Sequence, residues 1–160
     1  MSGNNQRQTP ASDQESVWDY PRPPRVEATG KRIRVIFNGV VIADSTNAKR
    51  VLETSHPPAY YIPQADIKME FLHATPTRTF CEYKGGANYW TLSVGDRVSE
   101  DAAWSYKTPN AGYESITDHL AFYLSRVDEG FVDDEKAAAQ AGDFYGGWIT
   151  RDIVGPFKGG

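Results

Sequence analysis

One cysteine, two methionines and three histidines are all the sulfur and imidazole groups this 160-residue chain holds. A lone thiol, Cys81, excludes an intramolecular disulfide framework and suits a reducing compartment. No C-x-x-C pair occurs, and His56, His73 and His119 are too dispersed for a zinc-binding spacing, so no metal is expected. The phosphate-cradling patterns G-x-x-x-x-G-K-S/T and G-x-G-x-x-G are missing, as is the G-x-S-x-G nucleophile elbow, and no cofactor is expected. No apolar run reaches the roughly 18 residues of a membrane-spanning helix. The opening "MSGNNQRQTPASDQES" lacks the apolar stretch of a secretory signal. With 17 basic against 21 acidic residues, a net charge of -4, there is no basic surplus for nucleic-acid phosphates. The expected address is the cytoplasm, with neither nucleic acid nor membrane as partner.

Aromatic residues are plentiful, with nine tyrosines and four tryptophans, and suit both sheet surfaces and ligand pockets. Residues 1–16 are polar and aperiodic and read as a disordered tail. Residues 17–134 read as a single β-rich domain, and residues 135–160 as a C-terminal extension rich in glycine and aromatics. Pro21, Pro23 and Pro24 hold the domain's first residues in an extended arm. Ile33, Val35 and Phe37 then alternate along a strand, and Asn38-Gly39 supplies a two-residue hairpin turn. Segment 45–54 allows either a helical turn or a strand. Asp66 to His73 alternates as a strand, and "TRTFCEYK", "NYWTLSV" and "AAWSYK" read as three more. In "SITDHLAFYLSRV", Ser115 and Asp118 resemble a capping box, and Ile116, Leu120, Tyr123, Leu124 and Val127 recur at helical spacing. This predicts one C-terminal helix, with a further helical turn in the acidic, alanine-rich stretch after it. The expected class is mainly β, an α+β arrangement of antiparallel sheets with that helix.

Three clusters carry the chemistry. In "CEYKGG", Cys81 is either a small hydrophobe in a wall or a thiolate stabilised by Lys84. Residues three apart on a strand face opposite ways, so the pair meets only if Gly85-Gly86 bends the chain. In "ETSHPPAYY", Glu53, Ser55, His56, Tyr60 and Tyr61 crowd around rigid prolines, and His56 is a candidate general base. In "AAWSY", Trp104 and Tyr106 share one strand face and serve equally as core or pocket wall. The acidic "VDDEK" reads as a solvated surface.

In this order, "LETSHPPAYYIPQADI", "CEYKGGANYW" and "AAWSYKTP", with the hairpin "RVIFNGVVIADS" and the segment ending "FYLSRVDEGF", resemble the family called domain of unknown function 427. The resemblance covers about Val17 to Asp134, and "GGWITRDIVGPFKGG" looks like an extension beyond it. It implies a small β-tent, two antiparallel sheets meeting with a cleft between them. The family's motif residues fall on Glu53, Ser55, His56, Tyr60, Cys81, Tyr83, Lys84, Gly85, Tyr89, Trp104 and Tyr106. The family also carries a nucleotidyltransferase-like label, but the paired acidic site and glycine-serine loop of that chemistry are missing here. The expectation is a cleft that binds a small polar or anionic metabolite through Glu53, Ser55, His56, Tyr60, Lys84, Trp104 and Tyr106. The alternatives are a hydrolase or transferase using Cys81 or His56, and a protein-interaction module.

Overall fold

The computed structural model describes residues 7–140 and 145–157. Residues 1–6 of the expected tail, and 141–144 and 158–160 of the C-terminal extension, lie outside the described residues. Strands β1 (Glu15–Ser16) and β2 (Arg25–Ala28) precede a hairpin of β3 (Ile33–Phe37) and β4 (Val40–Ser45). Next come β5 (Lys49–Leu52), β6 (Ala59–Ile62), β7 (Leu72–Cys81), β8 (Gly85–Val94) and β9 (Arg97–Ser105). The later strands are β10 (Leu120–Phe122), β11 (Glu129–Val132), β12 (Glu135–Lys136), β13 (Ala138–Ala139), β14 (Trp148–Ile149) and β15 (Ile153–Val154). Seven form one antiparallel sheet in the order β2-β5-β6-β10-β9-β8-β7, and four form a second, β12-β11-β3-β4. In the remaining two ladders β1 runs parallel to β15, and β13 pairs with β14.

The two larger sheets share one core. Ile33, Val35, Phe37 and Val132 of the smaller sheet pack with Ile62, Leu92, Ala103, Leu120 and Phe122 of the larger. The Asn38-Gly39 turn forms as the sequence predicts, both residues taking positive φ (50° and 75°) between two twisted strands. Trp148 wedges into this core at 1% exposure, its indole N–H donating to the Phe122 carbonyl at 3.0 Å. Because strand side chains alternate, the same strands of the large sheet carry a second buried cluster on their other face. It contains Tyr61, Tyr89, Trp104, Tyr106, Ala121 and Tyr123.

The predicted C-terminal helix does not form. Glu114–Ile116 and Leu124–Arg126 are single 3-10 turns, and Leu120–Phe122 between them is a strand hydrogen-bonded on both sides. Asp118 takes a positive φ of 57° where the helix would start, and its N–H donates to the Tyr106 carbonyl. The apolar run reflects a strand covered on both faces, which mimics helical periodicity over a short window. The expected helical turn after it is replaced by β11, β12 and β13. Asp66–His73 is likewise not a continuous strand: it starts on the last residue of the 3-10 turn Gln64–Asp66 and contains the turn Met69–Phe71, with β7 beginning only at Leu72. Among the described residues no helix is long and apolar enough to cross a membrane.

Ahead of the domain, Gln8 and Gly155 exchange hydrogen bonds, and Glu15 docks on Arg50 through two bonds of 2.9 Å. The Tyr20 hydroxyl donates to Glu15 at 2.7 Å. Bonding to Arg50, opposed by partial burial, holds the Glu15 carboxyl below its usual range. Such a group stabilises the fold fully above its unfolded value, and that contribution is lost as pH falls through its folded value. Glu15→Gln should therefore lower stability at pH 7 and converge on the wild type as pH drops below about 4. Urea titrations at stepped pH check this, and a pH-independent difference would remove the ionic account.

Trp148→Ala should cost about 3–5 kcal/mol, the range for deleting a fully buried indole. A loss below about 1 kcal/mol in denaturant unfolding would show that Trp148 is not a core wedge.

Candidate functional site

The outer face of the large sheet, away from the smaller sheet, holds a cavity of about 550 Å³. Its floor is a row of paired strand positions running Tyr61, Ala121, Trp104 and Tyr89 across β6, β10, β9 and β8. Of these, Tyr61, Trp104 and Tyr89 line the cavity, and Ala121 is buried among them. The Trp104 indole N–H donates to the Tyr61 hydroxyl at 2.9 Å, and its ring lies 4.6 Å from that of Tyr123. The Tyr106 ring lies beside that of Tyr61, centroids 6.3 Å apart. Burial pushes the phenols of Tyr61, Tyr106 and Tyr123 well above their ordinary range, so all three keep their protons at neutral pH.

β7 and β8 join through the three-residue loop Glu82, Tyr83 and Lys84, closed by the pair Cys81 and Gly85. Asn110 clamps the loop: its N–H donates to the Lys84 carbonyl at 2.8 Å, and its side-chain amide to the Tyr83 carbonyl at 3.2 Å. Gly85 takes φ +108°, and a side chain there would press on the Asn110 amide oxygen. The bend places Cys81 and Lys84 at the two ends of this tight loop, and both line the cavity. Cys81 is half-buried, whereas Lys84 retains only 8% of its exposure. Burial works against the ammonium, but Tyr61, Cys81 and Glu53 outweigh it, and its pKa stands above the ordinary lysine value. Among the described residues no carboxylate comes within ion-pairing distance of Lys84.

The rim is mixed. His56 Nδ1 lies 2.9 Å from the Thr54 carbonyl; a carbonyl only accepts, so Nδ1 carries a proton and Nε2 is the acceptor of the neutral ring. Tyr145 meets the His56 ring edge-on at 5.1 Å. Glu53 faces the cavity while pairing with Arg22 at 3.8 Å, and Phe80 stands 77% exposed at the edge. Arg126 stacks 4.4 Å over Tyr123 and donates to the Asp101 carbonyl at 2.7 Å. Gly146 lies flat against the Trp104 ring, where a Cβ would collide with the indole.

Glu53, His56, Cys81, Lys84, Tyr89, Trp104 and Tyr106 thus share one cavity. Tyr60 does not: the alternation that turns Tyr61 to the cavity turns Tyr60 into the inter-sheet core, 5.4 Å from Trp148. Ser55 is buried at a positive φ of 71°, its N–H bonded to the Val17 carbonyl, and lies outside the lining. Tyr83 lines a separate surface groove. The cleft expected between the sheets is instead filled by core, and the cavity lies on the far side of the large sheet. Tyr61, Tyr123, Arg126, Asn110 and Tyr145 were not anticipated as site residues. Only Tyr61 had a local signal, as part of the "AYY" cluster. Among the described residues no three His, Cys, Asp or Glu side chains gather as a metal cage.

A family model described as a domain of unknown function (DUF427) matches residues 25–133, more than half of the chain. No curated protein matches the chain.

Gly146→Ala should destabilise the protein by about 1–3 kcal/mol, as overpacking does. Gly86→Ala is the control, since nothing lies near its missing Cβ. Equal losses for the two in urea unfolding would remove the steric account of the Gly146 contact.

Proposed function

The chain belongs to the DUF427 family, and we propose that it binds a small anionic metabolite in the cavity on the outer face of its large sheet. The observation that carries this reading is Lys84, a buried cation without a carboxylate partner among the described residues, opening into an aromatic cavity. A buried charge is costly unless it is compensated. An anionic ligand supplies that compensation, and the surrounding phenol hydroxyls offer it further hydrogen bonds. Trp104, Tyr123 and Phe80 give flat apolar surface to whatever the anion is attached to, and Arg126 adds a second positive charge to the lining. His56, with Nε2 as acceptor, provides a polar contact at the rim. The half-exposed thiol of Cys81 fits a reducing cytoplasm.

In a thermal-shift series with small carboxylates and inorganic phosphate at constant ionic strength, at least one anion should raise Tm by several degrees. Lys84→Met should abolish that shift. If no anion exceeds chloride, or if Lys84→Met responds equally, the reading fails.

A further inference from the structure

We propose that Cys81 and Lys84 form a two-point capture site for 2-oxo acids, Lys84 holding the carboxylate while the Cys81 thiol adds to the neighbouring carbonyl carbon. The inference rests on the anion-binding reading above and names the ligand class that the same site takes. Lys84 is more than nine-tenths buried, lines the cavity and lies across the tight loop 82–84 from Cys81. Cys81 lines the same cavity and is half-exposed, so it is open to a ligand. Cation and nucleophile are adjacent, so a ligand engaging both must carry its negative charge and its electrophilic atom on neighbouring positions. A carbonyl directly beside a carboxylate meets that requirement; a carboxylate separated from its reactive carbon by a longer spacer does not.

The step needs no co-reactant. The bond from Sγ to carbon forms, the carbonyl π pair moves to oxygen, and that oxygen takes the thiol proton, giving a hemithioketal (a hemithioacetal from an aldehyde acid). The buried phenols of Tyr61 and Tyr106 hold their protons and can donate to the developing oxyanion. Release is the exact reverse, so the adduct is reversible.

Cys81 is the chain's sole cysteine, so mass spectrometry of the full-length protein reports its modification without ambiguity. The probes are iodoacetate and iodoacetamide, one anionic and one neutral, applied to the folded protein and to the urea-unfolded chain. Folding should raise the ratio of iodoacetate to iodoacetamide rates roughly tenfold, as one favourable charge contact does. Lys84→Met should return the ratio to the unfolded value, and Lys84→Arg should keep part of the preference. The wild-type comparison stands even if a variant folds poorly. Glyoxylate should slow iodoacetamide labelling of the wild type more than acetate at the same concentration.

A folded ratio equal to the unfolded one, or equal protection by acetate and glyoxylate, overturns the proposal. If acetate still raises Tm through Lys84, the anion-binding reading survives that failure; if no anion does, both fall. A permanent mass increase with glyoxylate and borohydride that persists in Cys81→Ala and vanishes in Lys84→Met also overturns it. That result would mark an imine, with the lysine rather than the thiol as nucleophile.

Discussion

The constraint on which this architecture depends is that the large sheet is covered on both faces. Each central strand must serve two interiors at once, and period-two alternation is how it does so. In β6, Tyr60 and Ile62 go to the inter-sheet core and Tyr61 to the cavity. In β10, Leu120 and Phe122 face the core and Ala121 the aromatic cluster on the other face. A slip of one residue in either strand would exchange the two environments, turning the core-facing side chains to the cavity face and the cavity-facing ones into the core. Pairing on both sides of β10 holds the register, and with it the row of groups beneath the cavity.

The two faces differ in kind. The inter-sheet core is built mainly of aliphatic side chains with Phe37, Phe122, Tyr60 and Trp148 among them. The cavity face is made of tyrosines and a tryptophan, whose polar tips must find partners once buried. The Trp104 indole finds the Tyr61 hydroxyl, and the Tyr89 hydroxyl finds that of Thr79. That network fixes ring positions without placing a formal charge in the floor. The nearby positive charge enters instead on a tight loop, held by Asn110 from a separate segment of chain. A rigid floor and a clamped cation amount to a preorganised site, in which little ordering remains for a ligand to impose.

Much of this was legible in the residues. The Asn38-Gly39 hairpin follows from a local turn requirement, and the strands of "NYWTLSV" and "AAWSYK" follow from alternation with aromatic bulk. The gathering of Glu53, His56, Cys81, Lys84, Trp104 and Tyr106 in one cavity was anticipated on family resemblance and on polar-aromatic density. The proximity of Cys81 and Lys84 was foreseen as conditional on a bend, and the bend is present. The misses have physical causes. Leu120 to Phe122 looked helical because a strand buried on both faces loses its alternating polarity. Tyr60 was placed in the site because neighbouring tyrosines look alike until the face of each is known. Arg126 and Tyr145 reach the cavity, and Asn110 the loop bearing Lys84, from distant parts of the chain, a long-range placement that local pattern does not encode.

The Gly146-Gly147-Trp148 stretch makes the boundary of shared ancestry differ from the boundary of mechanical integrity. The part held in common with the family ends at residue 133. Yet Trp148, well beyond it, fills the interior between the sheets, and Gly146 lies on the indole that floors the cavity. A fragment cut at the homology limit would keep all seven strands of the large sheet and three of the four of the smaller while exposing a large greasy hollow, an invitation to self-association. For anyone trimming, fusing or grafting this scaffold, the smallest autonomous unit is therefore set by a tryptophan plug rather than by the extent of the sequence match.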